Sequence, residues 1–168
     1  AVAPSEMTHT QGNLHTIELF HPLRDFILEH AEQYLVDMGY DSAGLVMSEM
    51  WANVQTPGSF HPPHVHPNNL LSGVYYVAAN QDERSHQITF VDPRPQSMML
   101  QPRVKCWGAY SSKRFNMPAI PGRLYVFPSW LEHYVAPTKH TNRVSISFNI
   151  LQKGALGSPH EFTHADWD

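Results

Sequence analysis

Three histidines in this chain have the spacing expected of a metal site. His64 and His66 are two residues apart in the segment Pro63–His66. Side chains alternate along a strand, so both imidazoles would lie on one side and could bind the same ion. His133 follows a glycine turn, an apolar run and a proline, which places it at the start of a strand. It could supply a third imidazole from a facing strand, or it could simply pack between the aromatic residues beside it.

A strand with two different faces follows His133. From residue 143 to residue 150 one face is apolar, and the other carries Arg143, Ser145, Ser147 and Asn149. The apolar face predicts contact with a core, whereas the polar face could line either solvent or a polar pocket. Arg143 favours the pocket, because a guanidinium can grip a carboxylate through two parallel hydrogen bonds. The molecule that bears this carboxylate could then bind the metal with its other end.

Two further segments could contribute to such a pocket. Trp51, Asn53 and Gln55 form a similar polar face ahead of the first histidines. Tyr76 lies on the next predicted strand, and a buried tyrosine needs a partner for its hydroxyl group. A bound carboxylate would supply that partner, although Tyr76 could also be an ordinary core residue.

The composition supports a metal-binding protein of one domain. The chain has 168 residues with 12 histidines, whereas only 15% of its residues are charged, against a usual figure of about 25%. Its net charge of −4 and scattered basic residues argue against nucleic acid as a partner, and no apolar run is long enough for a membrane span. Several histidines stand alone in polar surroundings and are interpreted as surface residues: His9, His15, His21, His30, His86, His140, His160 and His164.

The single cysteine, Cys106, excludes an internal disulfide bond. This favours a reducing compartment, so we expect a cytoplasmic location. Cys106 itself is interpreted as a small core residue.

The elements that must position these residues are one helix and a series of short strands. Apolar residues recur at helical spacing over 22–38, and Gly39 follows them as a helix stop. After Gly44, short β-prone runs alternate with turn residues, at 45–55, 63–66, 72–78, 87–91, 103–110, 123–127, 133–136 and 143–150. This pattern predicts a sandwich, barrel or jelly roll with the amphipathic helix packed on a sheet.

We therefore expect a single domain in three parts. Residues 1–44 form an N-terminal helical support, 45–152 form the β core, and 153–168 form a polar tail. Within the core, residues 92–104 form a long loop that could cover a pocket or lie on the surface.

Four of these motifs, in this order, resemble the Fe(II)/2-oxoglutarate-dependent oxygenases. The motifs are His64–His66, Gly73–Val77, the stretch from Gly122 through Pro128 to His133, and Arg143–Ser147. The nearest branch is similar to the prolyl hydroxylases and to the small oxygenases found in bacteria and phages. The resemblance covers residues 45–150.

The resemblance implies a double-stranded β-helix, a cupin-like jelly-roll barrel, with the metal at its mouth. His64 and His133 match the two histidines of the family's metal motif, which makes them catalytic residues. Arg143 matches the arginine that binds the far carboxylate of 2-oxoglutarate. The hydroxyl groups that share this carboxylate would come from Tyr76, Ser147 and the neighbouring Ser145.

One position departs from the family pattern. The family has Asp or Glu where this chain has His66, and the usual Fe(II) site has two histidines and one carboxylate. We expect His66 to be the third ligand, because the alternation of the strand directs it to the metal, with a carboxylate such as Asp92 as the alternative. His61, three residues before His64, should face the other side of an extended strand.

The function implied is an Fe(II)- and 2-oxoglutarate-dependent dioxygenase that uses O₂. It would hydroxylate an unactivated C–H bond of a small molecule or peptide and release CO₂ and succinate. Three alternatives remain open: a cupin-like three-histidine metalloenzyme that does not use 2-oxoglutarate, a non-catalytic metal-binding barrel, and a structural protein of a virus particle.

Overall fold

The computed structural model describes residues 7–80, 86–94, 99, 102–108, 111–139, 142–157 and 165–167. Two 3₁₀ turns, Leu14–Thr16 and Glu18–Phe20, lead into the helix α1, which spans His21–Asp37. The strands, in chain order, are β1 (Met7–His9), β2 (Leu45–Gln55), β3 (His61–His64), β4 (Leu71–Ala78), β5 (Ile88–Val91), β6 (Arg114–Met117), β7 (Leu124–Pro128), β8 (His133–Val135), β9 (Arg143–Gln152), β10 (Gly154–Leu156) and β11 (Ala165–Trp167).

Nine of these strands form two facing antiparallel sheets. The major sheet has the order β1-β2-β9-β4-β7, and the minor sheet has the order β3-β8-β5-β6. The predicted double-stranded β-helix with one helix on a sheet is therefore confirmed. The segment predicted as a polar tail contains the separate pair β10 and β11, which the sequence reading did not anticipate.

The helix packs on the outer face of the major sheet through a narrow stripe. Its residues Ile27, Ala31 and Leu35 are buried, and their spacing of four residues puts them on one face. Phe26 and Met38, which the apolar periodicity included, are instead 42% and 57% exposed. Gly39 follows the helix with φ +80°, a conformation that glycine adopts without a steric cost.

Strand β9 divides the interior into an apolar layer and a polar one. Ile146, Phe148 and Ile150 belong to the core that also contains the helix stripe. Arg143, Ser145 and Asn149 lie on the opposite face and are buried as well. The polar face of this strand therefore lines the space between the sheets, and the alternative of a solvent-facing edge is excluded.

The region after β5 differs most from the sequence reading. No strand occurs in residues 103–108, and positions 109–110 of the predicted strand lie outside the described residues. A strand forms instead at β6, where Phe115 and Met117 alternate with polar residues but all four residues are exposed. Cys106 is exposed, and its assignment as a core residue is wrong. Part of the 92–104 loop, namely 95–98 and 100–101, is likewise outside the described residues.

Helix α1 is too short and too polar to cross a membrane, and the described residues contain no other candidate span.

Candidate functional site

The three predicted ligands meet between the two sheets. His64 ends β3 and His133 begins β8, and the two residues are directly paired in register. His66 lies beyond the end of β3, and its backbone N–H donates to the carbonyl of Ser129, 2.9 Å away. One ring nitrogen from each of the three histidines lies within 4.8 Å of the others. The strand alternation used to orient His66 does not apply, since β3 ends at His64, yet the loop brings His66 to the same place.

Hydrogen bonds orient two of these rings toward a common point. Nδ1 of His64 donates to the Pro62 carbonyl at 2.7 Å, and Nδ1 of His133 donates to the Leu131 carbonyl at 2.8 Å. A carbonyl only accepts, so Nδ1 carries the proton in each neutral ring and Nε2 is left with its lone pair. This arrangement is typical of metal-ligating histidines.

The distance between the ring nitrogens of His66 and His133 fits a shared ion. Nε2 of His66 lies 3.3 Å from Nε2 of His133. Two nitrogens bound at right angles to one ion with bonds of about 2.1 Å would lie about 3 Å apart. Three imidazole nitrogens form a donor set that suits Fe(II) and other first-row divalent metals. The residues present therefore fit the metal that the sequence resemblance implied.

The surroundings keep two of these rings neutral. Burial, with a smaller contribution from the neighbouring imidazoles, lowers the pKa of His66 and of His133 to about 4 in each case. Neutral imidazole is the form that binds a metal.

Asp92, the alternative third ligand, has a different partner. Its carboxylate forms a salt bridge with Arg94, with an O–N distance of 2.6 Å, and a second contact to the same guanidinium. Asp92 is neither in the histidine cluster nor among the residues that line the cavity around it.

A cavity of about 240 Å³ extends from the histidine cluster to Arg143. Arg143 is 3% exposed, and its Nη1 donates to the carbonyl of His86. Its guanidinium carbon lies 5.4 Å from the centre of the Tyr76 ring, which also lines the cavity. Three buried polar atoms in this region have no hydrogen-bond partner: Arg143 Nε, Tyr76 Oη and Ser145 Oγ.

These unpartnered atoms are suited to an anion. Unsatisfied buried polar atoms are costly, and Arg143 and Tyr76 both line the cavity, so their unpartnered atoms indicate a ligand there. Burial raises the pKa of Tyr76 to about 12, so its hydroxyl is protonated and can donate. A carboxylate accepts from both an arginine and a hydroxyl, and its own charge would balance that of Arg143.

The middle of the cavity is lined by residues of β2 and β9. Asn53 is buried, and its Nδ2 donates to Ser147 Oγ at 3.0 Å. The indole ring of Trp51 lies 6.2 Å from the His66 ring. Gln55, from the same predicted face, is buried opposite Arg143 in the β2–β9 register.

Three histidines that the sequence reading set aside also belong to this region. His61 lines the cavity, contrary to its predicted orientation, because the β3–β8 register shifts between His61 and His64. His9 lines it from β1. His86, interpreted as a surface residue, is fully buried and holds Arg143 through its carbonyl. The sequence does not show where the register of a strand pair shifts. Pro62 and Pro63 are nevertheless typical of an irregular edge strand, because proline cannot donate a hydrogen bond to the sheet.

A chain of hydrogen bonds, buried except at its Glu49 end, supports the metal end. Ser129 Oγ contacts Ser72 Oγ at 2.7 Å, and Ser72 Oγ donates to Asn149 Oδ1 at 2.8 Å. Asn149 Nδ2 then donates to a carboxylate oxygen of Glu49 at 2.7 Å. Because Ser129 also accepts the backbone N–H of His66, this chain fixes the loop that carries the third histidine. Asn149 lies on the polar face of β9 as predicted, but its role in this chain could not be read from the alternation.

Solved structures share this architecture. A 2OG-Fe(II) oxygenase family protein from Burkholderia pseudomallei has a TM-score of 0.52 at 15% identity, over 71% of this chain and 50% of its own. A prolyl-4-hydroxylase from Pseudomonas putida has a TM-score of 0.57 at 17% identity, over 87% of this chain and 68% of its own. HygX from Streptomyces hygroscopicus, solved with nickel and 2-oxoglutarate bound, has a TM-score of 0.62 at 10% identity, over 96% of this chain and 80% of its own. The present chain thus spans half the length of the Burkholderia protein, and these likenesses establish the fold.

Sequence comparison establishes the family. No protein of curated function matches the sequence. A family sequence model described as "Putative 2OG-Fe(II) oxygenase" matches residues 49–149, which include all three clustered histidines, Tyr76 and Arg143. The match covers more than half of the chain and confirms the predicted resemblance, and the chain therefore belongs to the 2OG-Fe(II) oxygenase family.

Proposed function

We propose that this protein is an Fe(II)- and 2-oxoglutarate-dependent dioxygenase that hydroxylates an unactivated C–H bond. The observation that supports the proposal is that one cavity contains both a possible metal site and a possible carboxylate site. Three imidazoles converge at one end, and a buried arginine with unpartnered donors lies at the other. A molecule with a metal-chelating group at one end and a carboxylate at the other would satisfy both.

In this proposal His64, His66 and His133 hold Fe(II), and Arg143 binds the far carboxylate of 2-oxoglutarate. Tyr76 and Ser145 donate to the same carboxylate, since their oxygens are buried without a partner. Ser147 lines the cavity, and because its oxygen accepts from Asn53, its own O–H remains available to donate to the same carboxylate. When bound, the metal and 2-oxoglutarate supply the oxidation of the C–H bond by O₂, with release of CO₂ and succinate.

The protein's own contribution is positioning and the exclusion of water. Phe127 packs its ring edge against His133, with 4.7 Å between ring centres, and Phe90 lies on the same ring at 5.9 Å. These contacts fix the ligand and keep its surroundings apolar, which strengthens electrostatic interactions within the site. Trp51 and His66 border the cavity on the β2 side. We propose that a small-molecule or peptide substrate approaches there.

The decisive experiment is an anaerobic titration of the Fe(II)-loaded protein with 2-oxoglutarate. We expect a weak visible charge-transfer band from the chelate, and we expect Arg143→Gln to abolish the band at the same cosubstrate concentration. Uncoupled turnover, measured as succinate formed in air, would then guide a search for substrates.

If Fe(II) binds but no band forms, the proposal fails. A three-histidine metalloenzyme that does not use 2-oxoglutarate would then account better for the site. Its distinguishing property would be metal-dependent activity unchanged by Arg143→Gln.

A further inference from the structure

His61 occupies a position in the cavity that its sequence spacing did not predict. It opens the edge strand β3 opposite Val135 of β8, and the register then shifts before the pair His64–His133. As a result His61 and His64 both face inward, with 6.2 Å between their ring centres. His61 lines the same cavity as Arg143.

The ring of His61 differs from the ligand rings in its hydrogen bonding. His64 and His133 each use Nδ1 to donate to a backbone carbonyl. Neither nitrogen of His61 has a hydrogen-bond partner within the part of the chain that the structure describes. Nor does His61 join the set of three whose nitrogens converge within 4.8 Å. It is therefore a free donor in the cavity rather than a fourth member of the cluster.

The charge of the cavity favours an anionic ligand beside His61. Among the described residues that line it, Arg143 carries the one formal charge, and no carboxylate is present. A neutral imidazole has one N–H, so His61 can donate to a carboxylate that also accepts from Arg143.

We propose that His61 binds the far carboxylate of the cosubstrate together with Arg143, and so helps to select 2-oxoglutarate over 2-oxo acids that lack this group. The inference rests on the proposed function and adds a residue to it. His61 reaches the ligand from the minor sheet, whereas Arg143, Tyr76 and Ser145 reach it from the major sheet. The cosubstrate would then be held by donors from both sheets.

The test compares two ligands on two proteins. Anaerobic titrations of the Fe(II)-loaded wild type and His61→Gln use 2-oxoglutarate and 2-oxopentanoate, which has the same chain length but no far carboxylate. We expect His61→Gln to weaken 2-oxoglutarate about 10- to 100-fold, the range of a hydrogen bond to a charged group. The affinity for 2-oxopentanoate and for Fe(II) should not change. The control His30→Gln, on the exposed face of α1, should bind both ligands as the wild type does.

The other outcomes overturn the inference. An equal loss for both ligands, or a loss of Fe(II), would assign His61 to the metal, and unchanged affinity for 2-oxoglutarate would leave it with no role in binding. If the wild type itself does not bind 2-oxoglutarate, the proposed function fails together with the inference. If instead the wild type binds 2-oxoglutarate and His61→Gln binds it equally well, only the inference about His61 fails.

A measurement on the wild type covers the case in which the variant does not fold. The imidazole nitrogen resonances of His61 can be followed by NMR in Zn(II)-loaded protein. We expect 2-oxoglutarate to shift them and 2-oxopentanoate not to do so. Equal shifts with both ligands, or none with either, would contradict the assignment.

Discussion

Nε2 of His66 faces Nε2 of His133 across 3.3 Å, although the two residues come from a loop and from a strand. The ring of His133 is fixed by its bond to the Leu131 carbonyl, and the His66 backbone is tied to Ser129. With both rings neutral, this contact is satisfied either by the Nε2–H tautomer of His66, which donates to the lone pair of His133, or by a cation that binds both nitrogens. The second arrangement makes His66 a metal ligand.

Removal of His66 should therefore weaken metal binding. We expect His66→Ala to lower the affinity for Fe(II) by at least about tenfold, since even the loss of a supporting outer residue costs 10- to 100-fold. His66→Asp should lose less, because it restores the usual set of two histidines and one carboxylate. Anaerobic metal competition measures both, with His30→Ala as the control. Wild-type affinity in His66→Ala would show that His66 is not a ligand.

Arg143 should act on the cosubstrate and not on the metal. Removing one partner of a buried, hydrogen-bonded charge pair costs about 2 kcal/mol or more, which corresponds to a loss of at least about 30-fold. We expect Arg143→Gln to weaken 2-oxoglutarate by this amount while Fe(II) affinity is retained. Calorimetric titrations with Fe(II) and then with 2-oxoglutarate measure the two affinities separately. Equal loss of metal and 2-oxoglutarate would contradict the separate roles.

Much of this site follows from local sequence, because alternation along a regular strand is a local property. Arg143, Ser145 and Asn149 share a buried polar face, as the alternation of β9 requires. His61 was misplaced because a register shift between paired strands depends on the partner strand, β8. His66 was correctly predicted to lie beside the other two histidines, but strand alternation was the wrong reason. Its position depends on the loop beyond β3, which is held by a hydrogen bond to the carbonyl of Ser129 in a distant segment.

The helix shows a similar limit. The periodicity of apolar residues located α1 to within one residue at each end, but it could not rank the residues on the apolar side. Ala31 is fully buried because it lies on the same face as Ile27 and Leu35, whereas Phe26 lies about 100° around the helix from Ile27 and is partly exposed. Which side of the helix faces the sheet depends on the tertiary packing, which the helix sequence alone does not contain.

The chain of hydrogen bonds behind the metal end should contribute to stability. Ser72→Ala would remove one partner from both Ser129 and Asn149 within the buried interior. We expect the free energy of unfolding to fall by about 1–3 kcal/mol, and Tm to fall by about 2–4 °C for each kcal/mol. Ser48→Ala is a matched control, since Ser48 donates to Asn69 where the groups are only partly buried. A similar loss in both variants would show that the chain has no special role.

The packing of α1 can be tested with two neighbouring residues that differ in burial. Ile27 is completely buried against the sheet, whereas Phe26 is 42% exposed and its ring lies tilted against His30, with 4.2 Å between the ring centres. We expect Ile27→Ala to lower the free energy of unfolding by about 2–5 kcal/mol, because it leaves a cavity in the core. Phe26→Ala should cost less, even though it deletes more atoms. Denaturant unfolding of both variants decides the matter, and a larger loss for Phe26→Ala would mean that the helix is rotated about its axis relative to this structure.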